Sequence, residues 1–353
     1  MFGTNNKSSG FNTTKFVKLV LISGLAVAIS ACGGGGGGGS SSGGTSGGGG
    51  NPGGGGGNPG GGGSAPYNNR IADAVMDFDN NGQMDARFDF VYYADGRIDT
   101  ITYTYTGDGT PDIYNPYYTA SVTQADTVFR YDANGALAGL SITIQDNTLG
   151  TNSTDSLYTL TNNQMVQADT TVTSPNVQPF TITSVMTYTN GLPSLFASTA
   201  SIGTSFDRTY TFNANNQVTQ SVFSFAGSTN PTTSVYAWNA DGSLDKISYS
   251  DSNSSWVDDL TFLNGQLVRR DYTFSNPPTN PGNTNVAWIL NYNNGIPSRM
   301  DYDLNIDGSI DGNEVLNYES APCTPVYLYR DLDISQAGGD GIPGSPVGVS
   351  WCG

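Results

Sequence analysis

The sequence predicts an all-β fold, and three observations carry that prediction. The first is a short word, seen most cleanly as Tyr131-Asp132-Ala133-Asn134-Gly135-Ala136-Leu137: an aromatic, a polar turn closed by Gly, then an apolar residue two places on. It recurs about eight times along the chain. Such turns between alternating runs mark β-hairpins, because their backbone needs positive φ, which Gly and Asn adopt at little cost. The second is alternation with a period of two. Ile101, Tyr103 and Tyr105 alternate with Thr102, Thr104 and Thr106, and Leu140, Ile142 and Ile144 with Ser141 and Thr143, so one face of each strand is apolar. The third is the kind of acid used. Of 30 acidic residues only Glu314 and Glu319 are Glu, and Asp favours turns where Glu favours helices. No window sustains a helical period, and Thr, Tyr, Val and Phe dominate, so almost no helix is expected.

Residues 1–31 read as an export signal. Lys15 and Lys18 precede the eleven-residue apolar run Leu19 to Ile29, too short to span a bilayer as a permanent helix. The stretch Ile29-Ser30-Ala31-Cys32-Gly33 resembles the lipobox of bacterial lipoproteins. That resemblance implies that Cys32 is lipidated and becomes the first residue of the mature chain, and Gly33 after it implies release to the outer membrane. Several acyl chains suffice for stable anchoring where one would be marginal. Residues 32–65 are then a lipidated Cys and a Gly-rich tether, since a run of Gly, Ser, Asn and Pro cannot bury enough apolar area to offset its backbone entropy. A coil of roughly 33 residues has an end-to-end distance on the order of 30 Å.

Residues 66–322 form the hairpin domain. Its words join Tyr92 to Gly96, Tyr131 to Gly135, Leu160 to Asn163, Tyr188 to Gly191, Phe212 to Asn216, Trp238 to Gly242, Phe262 to Gly265 and Tyr292 to Gly295. Their spacing clusters near 26 residues, which leaves about ten residues for each strand. Repeats of one supersecondary unit stack into arrays. The expected architecture is therefore an extended antiparallel meander of about eight stacked hairpins in a curled single sheet, with a β-barrel or sandwich as the alternative. The word at 131–137 resembles the YD repeats of RHS-type bacterial proteins, a likeness that covers roughly residues 85–300 and implies hairpins adding side by side into a long curled sheet.

Within that domain one stretch carries metal chemistry. Asp303-Leu304-Asn305-Ile306-Asp307-Gly308-Ser309-Ile310-Asp311-Gly312-Asn313-Glu314 matches the EF-hand loop at positions 1, 3, 5, 6, 8, 9 and 12. Side-chain oxygens of Asp303, Asn305, Asp307 and Asp311 would wrap a calcium ion, the Ser309 carbonyl would add a backbone oxygen, and Glu314 would reach back bidentately. Ile306 is bulky for position 4, and the flanks Arg299–Tyr302 and Val315–Tyr318 alternate as strands. A structural calcium site is therefore expected rather than an opening sensor. A partial copy, Asp77, Asp79, Asn81 and Asp85 around Gly82, has Phe88 where the acid should stand and is expected to bind more weakly. Asp108 to Asp112 is a fragment of the same pattern. Asp-rich turns capped by their own backbone are the alternative for both loops.

Residues 323–353 contain Pro325, Pro343 and Pro346 and exclude regular strands over much of their length. Once Cys32 is lipidated, Cys323 and Cys352 are the remaining pair, and in an exported chain a disulfide between them is expected. It would act as a clasp over the last sheet edge.

Without residues 1–31 the chain loses Lys7, Lys15 and Lys18 and carries 30 acidic against 10 basic groups, about −20. Nucleic acid and anionic headgroups are excluded as partners on that ground. There is no His, and the one Lys beyond residue 31 is Lys246 with no motif around it, so no enzyme is expected; a carboxylate-based glycan-degrading enzyme is the distant alternative. The function expected is that of a monomeric, calcium-stabilised lipoprotein of the outer membrane or cell surface of a diderm bacterium. It would bind or adhere, with a glycan or a cell-surface molecule as partner, and a passive structural envelope role is the alternative. Trp238, Trp256 and Trp288 are the aromatics considered for stacking on sugar rings, against the reading that they are core.

Overall fold

A computed structural model describes residues 67–107, 122–161, 164–175, 177–250, 255–264, 266–274 and 285–323. Among them there are eighteen strands and no helix. The first six are β1 (Tyr67–Asp77), β2 (Ala86–Tyr92), β3 (Ile98–Tyr105), β4 (Val122–Tyr131), β5 (Leu137–Asp146) and β6 (Gly150–Thr161). The next six are β7 (Gln164–Ser174), β8 (Val177–Thr189), β9 (Leu192–Ala200), β10 (Ser205–Phe212), β11 (Val218–Phe225) and β12 (Thr232–Trp238). The last are β13 (Leu244–Ser250), β14 (Ser255–Leu263), β15 (Gln266–Phe274), β16 (Val286–Asn293), β17 (Ile296–Leu304) and β18 (Gly312–Cys323).

Each strand pairs antiparallel with the next, and β18 returns to pair with β1, from Tyr67 opposite Cys323 to Asp77 opposite Asn313. The sheet is therefore a closed barrel. The expected open, curled meander is corrected here in favour of its alternative, because β1 and β18 satisfy one another's edges. The role foreseen for the C-terminal segment, covering a free edge, falls with it. Around this seam Arg70 bonds Glu319 at 2.5 Å, Asn317 donates to Asp73 at 2.6 Å, and the Tyr92 hydroxyl donates to the Ile71 carbonyl at 2.8 Å.

All eight words fall between an even strand and the odd strand that follows it, so they gather at one end of the barrel, the turn end. Four-residue steps such as 92–96 form a turn with Gly96 at φ 84°, closed by Tyr93 N donating to the Arg97 carbonyl at 2.8 Å, and a bulge follows. Three-residue steps make two-residue turns with both positions at positive φ, as at Asn190 (53°) and Gly191 (78°). Residues 162–163 and 265, at two other words, lie outside the described residues.

The words also lock to one another, and they do so in pairs. Tyr131, Tyr188, Trp238 and Tyr292 donate side-chain bonds of 2.7–2.9 Å to the carbonyls of Ile98, Met165, Val218 and Leu267, each the apolar residue that closes the word before. In return Gln164, Gln217 and Gln266 donate to the carbonyls of Gly191, Gly242 and Gly295, and Arg97 lies 4.4 Å over the Tyr131 ring. The intervening words carry Leu160, Phe212 and Phe262, which have no such donor. Burial drives the locked hydroxyls of Tyr131 and Tyr292 toward the neutral, donating form.

The interior is filled with side chains. Phe88, Ile101, Tyr103, Phe129 and Met300 belong to one continuous apolar cluster that runs from β16 through the seam to β7. Smaller clusters lie along β7 to β9 and β11 to β13. Between them Arg270 and Asp258, both inside and fully buried, make a bidentate pair at 2.7 and 2.9 Å, with Trp288 against the guanidinium at 5.0 Å.

Candidate metal-binding loops and the outer wall

The opposite end, the loop end, holds the connections from odd to even strands, and two of them are the Asp loops. They are built alike, residue for residue. Asp77 accepts from the backbone N–H groups of Asn81 and Gly82 at 3.1 and 2.8 Å; Asp303 accepts from those of Asp307 and Gly308 at 3.0 and 3.1 Å. Asp85 and Asp311 each accept from the residue after the first Asp, Phe78 and Leu304, both at 2.7 Å. Asn81 and Asp307 cap the residues two places on, Gln83 and Ser309. Gly82 and Gly308 supply the sharp turn at φ 84° and 91°.

The loops also touch. They close the two hairpins that flank the seam, and Asn80 donates to the Ile310 carbonyl at 3.1 Å while Asn313 donates to Asn80 at 3.2 Å. A side chain at Gly312 would lie 2.8 Å from the carbonyl oxygens of Asp77 and Phe78, so glycine is required for the loops to sit together.

The two loops differ in how their carboxylates converge. Among the described residues the carboxylates of Asp77, Asp79 and Asp85 bring ligand atoms within 4.8 Å of one another, with Asp77 and Asp85 buried and Asp79 exposed. Asn81, the fourth member of that set, donates its amide to Asp79 at 2.9 Å. Asp303, Asn305, Asp307, Ser309 and Asp311 share one loop, but Glu314 does not close it. Its side chain lies inside the barrel, fully buried between Met76 and Met300 on the neighbouring strands, where the Tyr302 hydroxyl donates to Oε2 at 3.1 Å and Oε1 has no partner. The reason is local. A helix after Asp311 would swing position 12 back over the loop, whereas β18 starts at Gly312 and its alternation sends Glu314 inward. Burial pushes the Glu314 carboxyl up to about 7.

A second departure from the loop pattern is Ile306, held at φ 55° next to Asn305 at 65°. A β-branched residue in the left-handed region is strained, while the sister position holds Asn80 at 54° without that cost. Carboxylate and amide oxygens of this kind are the donors that hard cations take. Cys32, Cys352 and Asp108 to Asp112 lie outside the described residues. Cys323, at the end of β18, is fully buried and disulfide-bonded.

The outer wall carries a signal that sequence reading did not use. On β8 the buried Phe180, Ile182, Ser184 and Met186 alternate with exposed Thr181, Thr183, Val185 and Thr187. Charges sit on the outside within the strands: Arg299 with Asp301 at 2.5 Å and Lys246 with Asp259 at 2.8 Å toward the middle, Arg87 with Asp73 and Asp89 near the start of β2, and Arg130 with Asp155 near the end of β4. A lipid-facing barrel presents an apolar band there, and one Arg or Lys at its midplane costs about 2–4 kcal/mol. Several such charges are distributed around the wall. Of the three Trp considered for sugar stacking, Trp238 is tied to the Val218 carbonyl and Trp288 is buried in the core, while Trp256 stacks on Tyr249 at 5.2 Å with its planes 13° apart.

No protein-family model matches the chain, and no characterised protein matches it in sequence. Solved structures give distant likenesses. A porin-like protein from Bacteroides uniformis is 12% identical with a TM-score of 0.36, covering 72% of this chain and 97% of its own. A porin-like protein from Bacteroides vulgatus is 12% identical with a TM-score of 0.33, covering 70% and 98%. The Photorhabdus luminescens Tc holotoxin pore is 12% identical with a TM-score of 0.26, covering 69% of this chain and 16% of that one. Likenesses at this level carry no statement about what this chain binds or does.

Proposed function

We propose that this chain is a cell-envelope lipoprotein, anchored through Cys32, whose closed and filled barrel stands in water and serves binding or adhesion rather than conduction. The observation that carries the reading is the outer wall: ion pairs within the strands and exposed Thr outside, apolar clusters and a buried Arg270–Asp258 pair inside. That is the inverse of a channel, whose lumen is polar and whose outside is apolar. The lipobox-like stretch supports attachment to a membrane that the wall does not enter. Calcium at the Asp loops stabilises the seam at the loop end, with Asp77, Asp79 and Asp85 as the better-formed set.

Detergent phase partitioning of the full chain tests this. The wild-type protein should enter the detergent phase, and Cys32→Ser should stay in the aqueous phase as a monomer and produce no conductance in planar bilayers. A Cys32→Ser protein that requires detergent, or that opens channels, would reject the reading. Retention of the Cys32→Ser chain on glycan arrays or on cells would support the binding role, and its absence from both would leave a structural envelope role.

A further inference from the structure

We propose that the barrel's attachment to its membrane is polar: the tether joins it at the turn end, so the loop end, with both Asp loops, is on average the face farther from the lipid surface. The inference rests on the anchoring through Cys32 proposed above, and its own argument comes from strand direction. β1 begins at the turn end, where Tyr67 pairs with Cys323, and runs to the loop end at Asp77. The segment that links Cys32 to the barrel therefore joins it at the turn end, whatever conformation that segment takes.

β18 delivers the chain back to the same end. Gly96, in the first word, has φ 84° and sits so close to the exit of β18 that a Cβ there would lie 2.6 Å from the Pro322 carbonyl oxygen. Entry, exit and the first locked turn are thus one assembly. The remaining turns at that end are short and tied to their neighbours by the word-to-word bonds, which leaves them little freedom to reach a distant partner.

Strands of seven to thirteen residues tilted in a barrel give a wall about 25 Å high. A body held by one end next to an impenetrable plane keeps its other end farther from that plane on average. The longest described connections, 78–85, 226–231 and 305–311, are at the loop end, and with 201–204 they contain Asp79, Asp85, Asp307 and Asp311 and no Lys or Arg. A partner that docks on the outward face consequently meets an acidic, calcium-competent rim rather than the ring of aromatic words.

Energy transfer to the bilayer reads this directly. Donor dyes are placed on full-length lipidated protein at Leu263→Cys, exposed at the turn end, or at Ile202→Cys, exposed at the loop end. The protein is reconstituted in phosphatidylcholine vesicles carrying acceptor-labelled lipid. Because the tether joins the barrel at the turn end, transfer from Leu263→Cys should exceed that from Ile202→Cys. Both signals should vanish when Cys32→Ser is added to the labelled chains. Equal transfer from the two sites, or stronger transfer from Ile202→Cys, overturns the polarity while leaving the anchor intact. Absence of transfer from either site in the lipidated chain removes the anchor and the inference with it.

Discussion

The two ends of the barrel are made by opposite means. At the turn end one word is used over and over, and each copy binds its neighbour through side chains that the word itself contains: Tyr188 to the Met165 carbonyl, Gln164 to the Gly191 carbonyl. At the loop end only two of the described connections resemble one another, and those two carry the Asp residues proposed to hold calcium. Repetition builds the wall. Departure from repetition is what lets the carboxylates of Asp77, Asp79 and Asp85 converge, because a loop released from the register of the sheet can turn its oxygens on a common point.

The largest effect expected from this contrast is at glycine. Gly96 and Gly308 share positive φ, but a Cβ at Gly96 would meet the Pro322 backbone at 2.6 Å and one at Gly308 would meet nothing within 4 Å. Gly96→Ala should cost about 3 kcal/mol or more, strain plus displaced backbone, and Gly308→Ala about 1 kcal/mol, strain alone. Urea midpoints of the two variants check it, and equal losses would mean that the exit of β18 is not packed on the first word.

Next in size is the pH dependence set by Glu314. Its carboxyl ionises near 7 when folded, above its ordinary value of 4.5. Between those values the folded chain holds a proton that the unfolded chain has released, so this group makes stability fall as pH rises from about 4.5 to 7, by about 3 kcal/mol in full. Below 4.5 the penalty is absent. Glu314→Gln keeps the shape and removes the charge, so its advantage over wild type should be small at pH 5 and grow to its full size by pH 8. A pH-independent difference in melting temperature would mean that Glu314 is solvated or paired.

Calcium comes third and separates the loop end from the turn end. With a dissociation constant of about 10⁻³ M, calcium at ten times that concentration should stabilise by about 1.4 kcal/mol per loop. Asp77→Asn should lower that gain, and Glu314→Gln should leave it in place, since Glu314 faces the interior. If chelator and calcium give the same melting temperature, the loops are capped turns and nothing more. The smallest effect is at Ile306. Replacing it with Asn, the residue at the sister position, should relieve strain and raise stability by about 1 kcal/mol, measurable as a shift in urea midpoint.

Much of the wall could be read from residues alone. Every word identified by its aromatic and its Gly or Asn falls between two strands, and the alternation at Ile101 and Tyr103 gives the inner face correctly. Closure could not be read. β1 and β18 lie outside the repeated word, and their partners are some 240 residues apart, so no local pattern announces that Ile71 faces Tyr318. The direction of Glu314 was hidden for a related reason: the loop motif fixes spacing but not whether a helix or a strand follows it. The pairing of words was present in the sequence as Gln164, Gln217 and Gln266 in alternate copies, and it acquires meaning only when the next turn is seen beside each one.

The central claim is that the wall faces water, and thiol accessibility in the membrane-anchored protein tests it most directly. Val185 lies mid-strand on the outside of β8 and Ile182 on the inside. With the lipidated chain in its native membrane, Val185→Cys should react with a membrane-impermeant maleimide nearly as fast as a free thiol, while Ile182→Cys stays protected. Protection of Val185→Cys from the maleimide, together with its labelling by a photoprobe dissolved in the acyl chains, would contradict the account.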